Sequence, residues 1–206
     1  MTGSAPSPGP LPARPTRIVL TGFMGAGKTT VGALLAERLG WQFVDSDRVA
    51  EGRAGMTIAE IFERQGETAF RNLEAAAVRD ACREEHLVLA VGGGAIERAA
   101  TRNYLAALPD TAIVFLEAPL DTMIARCAAH EDGPVRPVLA DRERLGERWS
   151  RRLPWYRQAH LAVDTRDLAP AAVAERILEK LAQGDGGVGT SAERSARPAA
   201  GNRSLA

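Results

Sequence analysis

Lysine is almost missing from this chain. Of its 26 basic residues only Lys28 and Lys180 are lysines, and the other 24 are arginines. Cysteine is scarce too. Cys82 and Cys127 lack the C-x-x-C or Cys/His spacing of a zinc or redox site, and read as idle thiols of a reducing compartment. Net charge is zero, which argues against nucleic acid or an anionic membrane as a bulk electrostatic partner. No apolar run reaches the roughly 18 residues of a membrane span, and "MTGSAPSPGPLPARPT" lacks the apolar centre of a signal peptide. No internal repeat is visible. What remains is an ordinary composition, 45% hydrophobic and 25% charged over 206 residues, enough for one α/β domain with a real core. The expectation is a cytoplasmic enzyme or binding domain.

Residues 1–15 and 184–206 are rich in Gly, Pro, Ser and Ala and read as disordered tails. Between them, residues 16–183 form one folded unit. Short apolar runs at 17–22, 41–45, 87–94, 111–119 and 160–165 read as strands. Amphipathic stretches read as helices at 28–39, 66–84, 97–107, 120–129, 141–159 (around a break at Pro154) and 170–181. Thr57 and Glu60 form a capping box for a further short helix. Residues 130–140, with two prolines and a glycine, read as a loop. Strands alternating with helices imply a parallel sheet covered on both faces.

The retained lysine explains itself in "GFMGAGKT" (22–29), which matches G-x-x-x-x-G-K-[ST] directly after a strand and before a helix. Such a loop turns backbone N–H groups around a phosphate, and the helix N-terminus adds its positive end. Lys28 reaches the β- and γ-phosphates, and Thr29 supplies an oxygen to Mg²⁺. A compact ammonium fits inside that cradle, whereas a planar guanidinium does not.

The loop does not say what the nucleotide is for. Strand two ends in "FVDSDR" (43–48), where the chain turns into a helix. Ligands sit beyond the carboxyl ends of parallel strands, so Asp45 and Asp47 could hold metal or a substrate hydroxyl. Either could equally cap the helix. Strand three ends in "VGGGA" (91–95), with glycines Gly92, Gly93 and Gly94 where many such proteins place an aspartate for Mg²⁺. The metal role then falls to Asp45. "GETAFRNLE" (66–74) presents Arg71, and "RRLPWYR" (151–157) presents Arg151, Arg152 and Arg157, all able to bind a carboxylate or phosphate bidentately. "GPVRPVL" (133–139) carries Arg136 on a loop suited to close over phosphates.

In order and spacing, "GFMGAGKTTVG", "DSD", "GETAFRNLE", "VGGGA", "VRPVL" and "RLPWYRQAH" resemble shikimate kinase, a small P-loop kinase of the nucleoside-monophosphate-kinase type. The resemblance runs across the whole folded unit. It implies a three-layer α/β fold with five parallel strands in the order 2-3-1-4-5. It implies transfer of the ATP γ-phosphate to the 3-hydroxyl of shikimate, in aromatic amino-acid biosynthesis, with one Mg²⁺ per subunit. Asp47 matches the carboxylate on the shikimate hydroxyls, Arg71 and Arg152 the pair on its carboxylate, and Gly93, flanked by Gly92 and Gly94, a backbone contact. Gly25, Ala26, Gly27, Lys28, Thr29 and Thr30 match the ATP loop, Arg136 the lid arginine, and Asp45 the acidic residue near the metal. Arg126 is similar to the residue that stacks on adenine, and Pro170 to the turn lining it. The loop from Arg126 to Arg136 is a residue or two longer than the usual pattern. In "DTRDLAP" Arg166 is a second candidate for the adenine side. Expected partners are shikimate and ATP, with a monomeric chain, no nucleic acid and no membrane. The rivals are another small-metabolite kinase (gluconate-type), a non-catalytic P-loop binding protein and a nucleic-acid-acting ATPase.

Overall fold

The structure is a computed structural model and describes residues 8–129 and 142–184. Five strands, β1 (Arg17–Thr21), β2 (Gln42–Asp45), β3 (Leu87–Ala90), β4 (Thr111–Glu117) and β5 (Leu161–Asp164), form one sheet in the order β2-β3-β1-β4-β5. Every neighbouring pair is parallel, as expected. β1 lies at the centre, and all five of its residues are buried. Its side chains alternate: Ile18 and Leu20 enter one apolar cluster with Leu35, Phe115 and Ile177, while Val19 enters another with Val78, Leu87 and Leu89. A strand covered on both faces has no use for polar alternation, hence the unbroken apolar run in its sequence.

Seven helices cover the described sheet: α1 (Lys28–Leu39), α2 (Ser46–Ala54), α3 (Ile58–Ala81), α4 (Ala99–Ala107), α5 (Leu120–Ala128), α6 (Arg142–Tyr156) and α7 (Pro170–Gly184). The Thr57–Glu60 capping box is present at the start of α3. Gly66, at φ 83°, kinks α3 where the sequence suggested that a second helix begins. Leu11, in the stretch read as a tail, packs against the main cluster.

Three boundaries differ from expectation. β3 stops at Ala90 rather than running through the glycines, because the Gly92 N–H leaves the ladder and donates to Ser46 Oγ at 3.0 Å. The chain then makes a 3₁₀ turn (Ala95–Glu97), so α4 starts at Ala99. Pro154 does not break α6. It lies in the last turn, where its missing N–H forfeits a single hydrogen bond, and the Leu153 carbonyl is still taken by Arg157 N–H at 3.0 Å. The expected lid, residues 130–140, and with it Arg136, lies outside the described residues.

Candidate active site

The loop between β1 and α1 is built around glycines. Gly25 adopts φ +74°, and a Cβ there would stand 2.2 Å from the Met123 carbonyl oxygen, so the loop packs onto α5 only with glycine at this position. Gly27, at φ 93°, caps α1 without a side chain, leaving its first N–H groups open toward the loop. Ala26 is fully buried and Thr30 is exposed on the first turn of α1. The Lys28 ammonium folds back over the loop and donates to the carbonyls of Gly22 (2.8 Å) and Phe23 (3.0 Å). A tetrahedral ammonium can make such short, divergent bonds inside a tight turn.

Next to it, the Thr29 hydroxyl donates to Asp45 Oδ2 at 2.8 Å. The other oxygen of Asp45 caps α2, accepting from the N–H groups of Asp47 (3.0 Å) and Arg48 (3.4 Å). Capping and facing the loop, alternatives in the sequence, are thus divided between two oxygens of one carboxylate. Two hard oxygens at this spot suit Mg²⁺, which takes few protein ligands and completes its shell with phosphate and water.

Asp47 begins α2. Its Oδ1 is enclosed and has no hydrogen-bond partner. Burial raises its pKa above the ordinary value, Asp45 adds to this, and Lys28 and Arg71 oppose it. A second enclosed and unpartnered oxygen, Oε1 of Glu74, also crowds against Gly92. A Cβ on Gly92 would fall 2.1 Å from Glu74 Oε1 and 2.3 Å from Asp47 Oδ1. Burial lifts Glu74 to about 7 against the pull of Arg71. Sequence reasoning passed over Glu74. Its signal was the i,i+3 spacing from Arg71 on α3, now an ion pair of 2.8 Å.

Two arginines flank the glycines. Arg71 is held by Glu74 and by Glu67 (3.1 Å), and its guanidinium faces Gly94, where a Cβ would lie 2.3 Å from Nη2. Arg152, on α6, is 6% exposed and sits with its Cζ 5.7 Å from the Phe23 ring centroid. Its Nη1 points at Gly93, 3.7 Å from where a Cβ would stand. Tyr156 fixes that peptide by donating to the Gly93 carbonyl at 2.5 Å. The other candidates of this helix do not join. Arg151 is exposed and pairs with Glu97, and Arg157 turns toward Glu117.

On the far side of the loop, Arg126 donates to Thr165 Oγ1 (3.0 Å) and to the Arg166 carbonyl (3.1 Å). It ties the end of α5 to the turn before α7, whose first residue is Pro170. The side chain of Arg166 bends back on Asp164. Among the described residues no three His, Cys, Asp or Glu side chains gather as a metal cluster.

A phosphate loop thus stands beside an enclosed carboxylate and two arginines that aim at three glycines. The chain as a whole is similar to known proteins. A family model described as "Shikimate kinase" matches residues 24–182. A shikimate kinase from Gloeobacter violaceus is 44% identical over 168 residues, covering 80% of this chain and 92% of that protein. One from Chromobacterium violaceum is 38% identical over 163 residues, covering 79% and 88%. Among solved structures, the shikimate kinase from Acinetobacter baumannii in complex with shikimate superposes with a TM-score of 0.76 at 37% identity, covering 82% of this chain and 94% of the other. Family model, relatives and fold agree over nearly the whole folded unit: the chain belongs to the shikimate kinase family.

Proposed function

We propose that the protein transfers the γ-phosphate of ATP to the 3-hydroxyl of shikimate, giving shikimate 3-phosphate and ADP. The observation that carries this reading is the pair Arg71 and Arg152 aimed at the glycine run, with the unpartnered Asp47 Oδ1 enclosed beside it. Two guanidinium groups accommodate a carboxylate, and an orphaned carboxylate oxygen asks for a hydroxyl donor. A ring acid bearing a hydroxyl satisfies both at once.

In this reading the amides of Gly25, Ala26 and Gly27 and the Lys28 ammonium hold the ATP phosphates, and Lys28 exchanges its two loop carbonyls for phosphate oxygens. Thr30 lies at the edge of this cradle. Thr29 and Asp45 would hold Mg²⁺, which when bound would neutralise phosphate charge. Asp47 accepts the hydrogen bond of the attacking hydroxyl and sets its line of approach. Its raised pKa makes it a better proton acceptor than an ordinary aspartate. Arg71 and Arg152 fix the far end of the acceptor by its carboxylate, and the backbone at Gly93 lines the floor. Arg126, with the turn to Pro170, bounds the adenine side, and Arg136 meets the phosphates. The buried thiol of Cys82 suits a reducing cytoplasm.

The test is ADP release measured with and without shikimate, in the presence of Mg²⁺. Shikimate-dependent release with equimolar shikimate 3-phosphate is expected. Slow ATP hydrolysis that shikimate does not stimulate overturns the reading. A gluconate-type kinase would respond to an open-chain sugar acid instead, and a binding protein to neither.

A further inference from the structure

We propose that Glu97 is a positioning residue for Arg152, gripping one edge of its guanidinium so that another edge faces the glycine run. The inference rests on the reading that Arg152 receives the carboxylate of the acceptor.

Glu97 closes the 3₁₀ turn that follows the glycines. Its Oε1 accepts from Arg152 Nε at 2.9 Å and from Arg151 Nη2 at 3.0 Å. A guanidinium offers donors on several edges of one plane. Glu97 takes the Nε edge, and Nη1 is the atom that looks toward Gly93. The contact therefore does not fill the place of the substrate; it fixes the plane in which the remaining donors lie. Without it, more of the ordering of a long, rotamer-rich side chain falls to the ligand itself.

Glu97 is itself held from behind. Arg102, on α4, donates from Nη1 to the carbonyls of Ile96 (2.6 Å) and Glu97 (2.9 Å). Its Cζ lies 3.7 Å from the ring centroid of Trp155, a stacking geometry. Trp155 stands on α6, the same helix as Arg152, so the chain of contacts closes. Trp155 holds Arg102, Arg102 holds the backbone of Glu97, and Glu97 holds Arg152. Burial pushes the Glu97 pKa up, but the hydrogen bonds and charges of Arg152 and Arg151 outweigh it and leave it below the usual carboxylate range. The grip is thus ionic at neutral pH.

The experiment uses the full chain with shikimate and ATP. Glu97→Ala should raise the KM for shikimate about tenfold while the KM for ATP stays within about twofold, as a misaimed clamp demands. Glu97→Gln keeps an oxygen on the same atom and should recover most of the loss. By calorimetry, Glu97→Ala placed on Arg152→Lys should weaken shikimate binding little further, because the donor it positions is already gone. The inference is overturned if Glu97→Ala leaves the KM for shikimate unchanged. It is also overturned if both variants lower that KM, which marks a competing anion, or if both substrates and thermal stability suffer alike, which marks a structural role. Wild-type protein that neither phosphorylates nor binds shikimate sinks the underlying reading as well. Normal wild-type turnover with an indifferent Glu97→Ala sinks this inference alone.

Discussion

Gly92 does not adopt a left-handed φ, so alanine fits its backbone, and the consequence of Gly92→Ala lies wholly in what the methyl meets. It would enter 2.1 Å from Glu74 Oε1 and 2.3 Å from Asp47 Oδ1, where ordinary contact begins at 3.4 Å. Both carboxylates must retreat by about 1 Å. Neither can do so cheaply: Glu74 is tied to Arg71 through its other oxygen at 2.8 Å, and Asp47 sits in the first turn of α2. Misplacing an orienting group by about 1 Å can cost on the order of 10²-fold in rate, and overpacking costs about 1–3 kcal/mol of stability. Gly92→Ala should therefore lower kcat/KM for shikimate by roughly 10²-fold with ATP binding intact. Gly94→Ala meets the Arg71 guanidinium at 2.3–2.7 Å and should act mainly on the KM for shikimate. At Gly93 the nearest atoms stand 3.5–3.7 Å away, so Gly93→Ala is the stability reference and should melt near wild type. Steady-state kinetics against each substrate and thermal melts of the three variants check this. Near-normal kcat/KM in Gly92→Ala, or a loss that falls on ATP, refutes the reasoning.

Lys28→Arg keeps the charge but exchanges a compact ammonium for a wide planar group, so turnover should fall by at least about 10²-fold with an unchanged circular dichroism spectrum; near-normal kcat would make the lysine incidental. Asp45→Asn should raise the Mg²⁺ requirement and recover with excess metal. Asp47→Asn should weaken shikimate binding and cut kcat without such recovery, and a magnesium titration of both variants distinguishes the roles or reverses them. Burial pushes the Glu74 pKa from the ordinary 4.5 to about 7, so the folded state holds its proton more tightly than the unfolded chain. The associated stability is fully present below about 4.5 and is lost as pH rises through about 7. It amounts to at most about 3 kcal/mol. Denaturant unfolding at pH 5 and pH 7.5 should show this loss in wild type and much less of it in Glu74→Gln; equal slopes in both would refute it.

The phosphate loop and the parallel sheet were legible because their signals are local or follow from strict alternation, whereas the strand order came only with the family resemblance. A motif of eight residues carries its own confirmation in the strand before it and the helix after it. Asp45, Asp47, Arg71 and Arg152 could be picked out by type and position in short motifs. What the sequence could not say is which oxygen of Asp45 faces Thr29, or that Arg151 turns outward while its neighbour Arg152 is buried. Adjacent residues on a helix point about 100° apart, and only the packed phase of α6 decides which enters. Glu74 and Asp47 were illegible as a pair because α2, α3 and the turn after β3 bring them together across Gly92, from three separate stretches of chain.

That convergence lets the proposed site combine charge with selectivity. Each arginine already has an acidic partner from the protein: Arg71 has Glu74 and Glu67, and Arg152 has Glu97. The clamps are thus ordered before the substrate arrives, and binding need not immobilise them. The carboxylate oxygens are treated in the opposite way. Asp47 Oδ1 and Glu74 Oε1 are enclosed without a donor, and leaving such a group unpaired costs about 1–3 kcal/mol. A ligand that offers hydroxyl hydrogens at that point relieves a cost the empty protein carries, whereas an acid of the same outline without them leaves it standing. In the proposed reading, paired arginines supply general affinity for a carboxylate, and the orphaned oxygens decide which carboxylic acid stays. Asp47 belongs to the second group and also feels the charge of Lys28, so in the proposed reading the hydroxyl that relieves it is the one that receives the phosphate.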